Sequence, residues 1–172
     1  MTDPLIKSLH ASGPATDRLA TFGRFVGDWD LDWRGATTDG APVTAQGRLS
    51  FGWVLDGRAV QDVWKVPPAV PGDPGIAGYG FHGSTIRFYD STIDAWRSTW
   101  IEPVNGLVRK FIGKERDGRI VLLSVDSQPH MRWTFRDIQP GSFTWTAEYS
   151  TDGGHIWIED EQMIARRKYE SL

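Results

Sequence analysis

Cysteine is absent from this sequence. Disulfides, thiolate zinc sites and cysteine nucleophiles are therefore excluded outright, and the fold must stand on its core alone. A basic surplus is missing too: Lys plus Arg total 19 against 22 acidic residues, for a formal charge of −3, and the basic residues are scattered rather than gathered into a stripe. No nucleic-acid partner is expected. No apolar run approaches the length needed to cross a bilayer, and the N-terminal MTDPLIKSLHASGPATDRL has neither the basic nor the apolar region of a secretion signal. The expectation is a cytoplasmic protein without a membrane partner. The four histidines, His10, His82, His130 and His155, make no His-x-His pair and no His-Glu-x-x-His helix, so no metal is expected and no cofactor is assigned. Ser84 and Ser98 have no Gly-x-Ser-x-Gly elbow around them, which argues against a hydrolase triad.

What the sequence has in excess is aromatic bulk. It carries 9 Trp, 8 Phe and 4 Tyr, although its hydrophobic fraction is an ordinary 40%. Its 172 residues suit one domain spanning 1–172, with residues 1–27 as an N-terminal helical plug and 28–167 as a barrel. Thr16 or Asp17 is placed to cap a helix in which Leu19, Phe22 and Val26 recur near helical spacing, ending by Gly27. From Asp28 the period changes to two. Trp29, Leu31 and Trp33 alternate with Asp28, Asp30, Asp32 and Arg34, the pattern of a half-buried strand. After TTDGAP, the segment from Val43 to Leu55 sets Leu49, Phe51 and Trp53 opposite Arg48 and Ser50, and Asp56-Gly57 signals a tight hairpin.

RAVQDVWKV follows and runs into the irregular, Pro- and Gly-rich stretch Pro67 to Gly80, which reads as a lid with hinge glycines. Short strands then succeed one another: GFHGSTIRFYD, DAWRSTWIEP, LVRKFIGKER, RIVLLSVD, HMRWTFRDI, SFTWTAEYS and HIWIEDEQMIARR. No helix long enough for a parallel crossover separates them. The expected fold is all-β, a single antiparallel up-and-down barrel of about ten strands with a short N-terminal helix closing one end. Lys and Arg mark the outer face of each strand. Taking Arg48, Lys65, Arg97, Lys110, Arg132 and Arg136 as outward places Trp53, Trp64, Trp96, Trp100 and Trp133 inside. Trp29, Trp33, Trp145 and Trp157 follow by the same logic.

In FVGDWDL, Phe25 to Leu31, the pair Gly27 and Trp29 resembles the Gly-x-Trp of the calycin superfamily, which sits on the first strand after a helix that plugs the barrel. The resemblance implies an arginine on the last strand packed across the tryptophan ring, and Arg166 or Arg167 in IARR suits that role. Further segments, VLDGRAVQDVW, TIRFYD, DAWRSTWIEP, RWTFRDI and STDGGHIW, look like a lipocalin-like family of bacterial domains of unknown function. Such a likeness implies a fold and not an activity.

The inward faces also carry polar groups that bear on chemistry. Asp62 lies between Val60 and Trp64, Ser98 and Glu102 beside Trp96 and Trp100, and Arg109 beside Phe111; Glu159 and Glu161 are further carboxylates of interest. A carboxylate among indoles is desolvated and suited to general acid–base work. The structural alternative is that Asp62 pairs with Arg58 or an arginine of a neighbouring strand, and that Glu102 meets solvent. His82, after the lid, is placed to move a proton at the mouth or simply to face water. Arg87, Tyr89 and Arg97 would hold an anionic head group only if they face the mouth.

Three functions remain open. In the first, the barrel binds a small hydrophobic or aromatic ligand against Trp53, Trp64, Trp96, Trp100, Phe111, Trp133 and Trp145, with Arg109 among the orienting groups. The second is a cofactor-independent cyclase, isomerase or lyase using Asp62, Glu102 or His82. The third is a solid aromatic core whose outside contacts another protein, with a homodimer also open.

Overall fold

The computed structural model describes residues 3–36, 40–67, 75–76 and 78–168. Ten strands close into one antiparallel barrel: β1 (Gly27–Ala36), β2 (Pro42–Val54), β3 (Ala59–Val66), β4 (Phe81–Asp90), β5 (Ala95–Glu102), β6 (Leu107–Arg116), β7 (Arg119–Ser124), β8 (His130–Gln139), β9 (Ser142–Ser150) and β10 (Ile158–Arg167). Each strand pairs with its neighbour in sequence, and β10 returns to β1 through the Met163–Trp33 and Ala165–Leu31 partners. Closure leaves no long free edge. The fold is therefore the closed all-β up-and-down barrel that the strand count and turn chemistry indicated.

Period-two alternation decides which side chain goes where. In β1, Trp29, Leu31 and Trp33 are buried, while Asp28, Asp30 and Arg34 are exposed. On that outer face Asp28 accepts from Ser50 Oγ at 2.5 Å and Asp32 from Gln46 Nε2 at 2.6 Å, so the acids of β1 tie it laterally to β2. Glycine is needed at the Asp56-Gly57 turn on two counts. Its φ is +74°, and an added Cβ would lie 2.1 Å from the Gly13 carbonyl oxygen, because the N-terminal segment crosses the turn there.

Within the N-terminal segment, helix α1 (Pro4–Leu9) is exposed and only the part from Leu19 to Phe25 enters the barrel end. Helix α1 is capped by Asp3, whose carboxylate accepts from Leu5 N at 2.8 Å, and His10–Ala11 pairs briefly with β2. A turn of 3-10 helix, Asp17–Leu19, leads into α2 (Ala20–Gly23). Leu19, Phe22 and Phe25 are driven into the barrel end. Phe22 meets Trp96 and Phe135 edge-on at 4.8 and 5.6 Å, and Phe25 packs on Phe51, Phe135 and Phe143. The plug is thus held by rings rather than by aliphatic contacts.

One tryptophan lies elsewhere than alternation placed it, and a second marks the limit of the interior. Trp53 keeps the inward parity of Leu49 and Phe51 but sits at the plugged rim, half-buried, with its indole against Gly23 of α2 and packed on the edge of the core. Trp157 falls in the connection before β10 and lies under the outward guanidinium of Arg132 at 4.3 Å. Periodicity has no hold on Trp157, which lies beyond the strand. Residues 68–74 and 77 of the expected lid, and 37–39 of the TTDGAP turn, lie outside the described residues. No helix among the described residues is long and apolar enough to cross a membrane.

Candidate ligand site in the barrel interior

Connections 55–58, 91–94, 117–118 and 140–141 gather at the plugged end, and 103–106, 125–129 and 151–157 at the mouth. At the plug, the Arg167 guanidinium lies 4.2 Å from the centroid of the Trp29 indole ring. It also donates to the carbonyl oxygens of Arg24, Val26 and Pro140, while Trp29 Nε1 donates to the Phe25 carbonyl at 2.7 Å. Gly27 is required because a Cβ there would stand 2.7 Å from the Arg167 guanidinium. The lateral choice between the two terminal arginines is decided by alternation, since Arg166 faces outward and pairs with Asp32.

Above the plug lies a buried ion pair. Asp62 on β3 and Arg87 on β4 have side chains only 4% and 3% exposed, and Asp62 also accepts from Thr85 N at 3.0 Å. Arg87 sits among the rings of Phe22, Phe51 and Phe135, 5.0, 5.6 and 5.8 Å from their centroids. The aromatic faces and the carboxylate together replace the water that the guanidinium gives up.

Over this pair four indoles close a ring across the barrel. Trp64 meets Trp100 at 5.2 Å, Trp100 meets Trp133 at 6.2 Å, Trp133 meets Trp145 at 5.3 Å and Trp145 returns to Trp64 at 5.4 Å. Glycine makes this possible on β4, where a Cβ on Gly83 would lie 2.5 Å from the Trp100 ring. Phe81 stacks on Trp64 at 5.1 Å and Phe111 on Trp133 at 4.1 Å. Beneath the ring remains a void of about 20 Å³ bordered by Asp62, Trp64, Arg87, Phe135 and Trp145 among others. The middle of the barrel is therefore an aromatic core with room for a single small group.

Toward the mouth four inward-facing side chains are half-buried, Leu107 and Arg109 on β6, Met131 on β8 and Glu161 on β10, while Trp33, Val66, Phe81 and Glu102 at the same end are buried. Trp33 Nε1 donates to the Glu161 carboxylate at 2.9 Å. Desolvation raises the Glu161 carboxyl to about 7, with the Trp33 hydrogen bond opposing, Asp160 adding to the rise and the Arg109 charge opposing it. A carboxyl raised above its unfolded value holds its proton longer in the folded chain, so between the two values the folded state binds more protons and stability falls as pH rises. Stability of the chain relative to Glu161→Gln should thus be matched near pH ~4, below the unfolded value, and lost by on the order of 2 kcal/mol near pH ~8. Urea unfolding of both proteins at the two pH values checks it; parallel curves would place Glu161 in solvent.

The other expected site residues are distributed as follows. Trp64, Trp100, Trp133 and Trp145 form the indole ring, Phe111 abuts it, and Trp96 lies below it against Phe22. Glu102 does not meet solvent: it is fully buried and accepts from the backbone N–H groups of His82, Val104 and Asn105 and from Asn105 Nδ2. That ties the 103–106 turn to β4. His82 is exposed on the outer face, because the alternation of β4 sends Phe81 and Gly83 inward. Arg87 faces the plug-side interior rather than the mouth, Arg97 pairs outside with Asp90, and Ser84 bonds Gln61 and the Asp62 carbonyl. Glu159 is outward, paired with Arg34. The described residues contain no group of three or more His, Asp or Glu able to hold a metal.

Sequence comparison finds no matching protein family and no matching curated protein. Solved structures do match in shape. Rv2717c from Mycobacterium tuberculosis aligns over 90% of this chain and 99% of its own, with a TM-score of 0.63 at 9% identity. The S-type phycobiliprotein lyase CPES from Guillardia theta aligns over 91% and 96%, with a TM-score of 0.61 at 12% identity. At such identities the likeness establishes the barrel fold.

Proposed function

We propose that the chain binds a small hydrophobic or aromatic molecule at the mouth of the barrel. The observation that carries this reading is the mouth itself: half-buried inward side chains, with Glu161 and Arg109 among them, above a floor of indole and phenyl rings. Aromatic walls supply area, and a few polar groups fix orientation. The similar fold of a phycobiliprotein lyase supports a pocket-type use of the barrel. Because the middle of the barrel is already filled, a ligand would rest on the indole ring and reach deeper only as those rings shift.

Titration with a panel of apolar and aromatic compounds should quench tryptophan emission and raise Tm by about 5 °C at a hundredfold excess over Kd. Unchanged emission and Tm across the panel would remove the reading. A second function, acid–base catalysis of an isomerisation, cyclisation or elimination, is favoured by Glu161. Its carboxyl is poised near neutrality, whereas Asp62 is ion-paired and Glu102 is saturated with donors. Under that reading Glu161→Gln abolishes turnover and retains binding.

A further inference from the structure

Four buried polar groups have no hydrogen-bond partner among the described residues: Trp64 Nε1, Trp133 Nε1, Arg87 Nε and Ser98 Oγ. Three of them are pure donors, and all three belong to side chains that border the same small void beneath the indole ring. Ser98 stands directly across the ladder from Arg87. Unsatisfied buried donors are costly, and a concentration of them around one space identifies what that space accepts. The charge balance narrows the choice. Asp62 neutralises Arg87 and its carboxylate borders the void, so a carboxylate or phosphate placed there would meet a like charge in a desolvated setting. The volume of about 20 Å³ admits one atom of water or oxygen size.

We infer that this void is the specificity subsite for a neutral hydrogen-bond acceptor, the carbonyl oxygen of an apolar or aromatic ketone, quinone or amide. The inference rests on the binding reading above and names its ligand class. The ligand's rings lie against Phe81, Trp64 and Trp100, and a shift of the indole ring lets its carbonyl enter the void and accept from Trp64, Trp133 and Arg87. Selectivity arises because a hydrocarbon of the same shape displaces nothing from these donors and offers them nothing.

The test uses fluorenone and fluorene, planar and of nearly equal size, which differ by a carbonyl oxygen. Tryptophan emission reports affinity, and the indole ¹H–¹⁵N resonances of Trp64 and Trp133 report hydrogen bonding. Fluorenone is expected to bind about tenfold more tightly and to shift both indole resonances downfield. Trp133→Phe, which keeps a ring and removes the N–H, should reduce the preference severalfold, and Trp64→Phe does the same should the first variant fail to fold. Equal affinities of the two compounds, with unmoved indole resonances, would overturn the acceptor subsite and leave the binding reading standing. Binding of neither compound overturns the acceptor subsite for this ligand class, and binding of other members of the apolar panel then decides the binding reading separately.

Discussion

Asp62→Ala is expected to cost about 3–5 kcal/mol of folding stability, much of what a domain of this size possesses. The reason is the position of Arg87, whose side chain is 3% exposed and surrounded by Phe22, Phe51 and Phe135. Without Asp62 a guanidinium remains in that cage with no counter-ion, and its Nε already lacks a partner among the described residues. The double variant Asp62→Leu with Arg87→Met should recover most of the loss, because an apolar pair of comparable volume needs no desolvation. Urea unfolding of the three proteins measures it. A loss under about 1 kcal/mol for Asp62→Ala would mean that water reaches the pair.

Trp29→Ala should cost about 3–5 kcal/mol, the range for emptying a fully packed indole site. Trp29 is 1% exposed, contacts Phe143 at 4.8 Å, and bonds the Phe25 carbonyl through its N–H. It is also the face on which Arg167 rests while that side chain gathers three carbonyl oxygens from the plug and the 140–141 turn. Arg167→Met should cost about 2 kcal/mol by itself. Adding it to Trp29→Ala should cost less than the sum by about 1 kcal/mol, since the guanidinium–indole contact is already gone. Strict additivity in this double-mutant cycle would show that Arg167 acts on the carbonyls alone.

The two sites differ in how far sequence reveals them. Gly27, Trp29 and the terminal arginines were legible because their roles follow from local order: a helix, a first strand, a last strand. Alternation inside strands was equally legible, and it placed Trp64, Trp96, Trp100, Trp133 and Trp145 on the inner face. The Asp62–Arg87 pair was half legible. Alternation sends Asp62 inward, but the rule that Lys and Arg mark the outer face misses the buried Arg87, and their meeting depends on the register of β3 on β4, which sets Asp62 opposite Thr85 and Val60 opposite Arg87. Glu161 was the residue hardest to weigh: it keeps the inward alternation of Met163 and Ala165 opposite Ala147, whereas an extra residue on β10, Asp160, shifts the pairing so that Glu159 falls opposite Glu148 and faces outward. The presence of Glu159 and Glu161 on one parity hid which of them enters the barrel.

By itself, the sequence determined the closed antiparallel barrel, its helical plug and an aromatic interior, since these follow from periodicity, turn residues and the want of any crossover helix. Tertiary structure alone decided that the interior is a four-indole ring over a buried ion pair, with a small void between and the half-buried Arg109 and Glu161 beyond it toward the mouth. The physical reason is that alternation fixes only the side of the sheet. Depth along the barrel, and which rings and charges meet across it, depend on the stagger of all ten strands at once, and no local pattern encodes that sum.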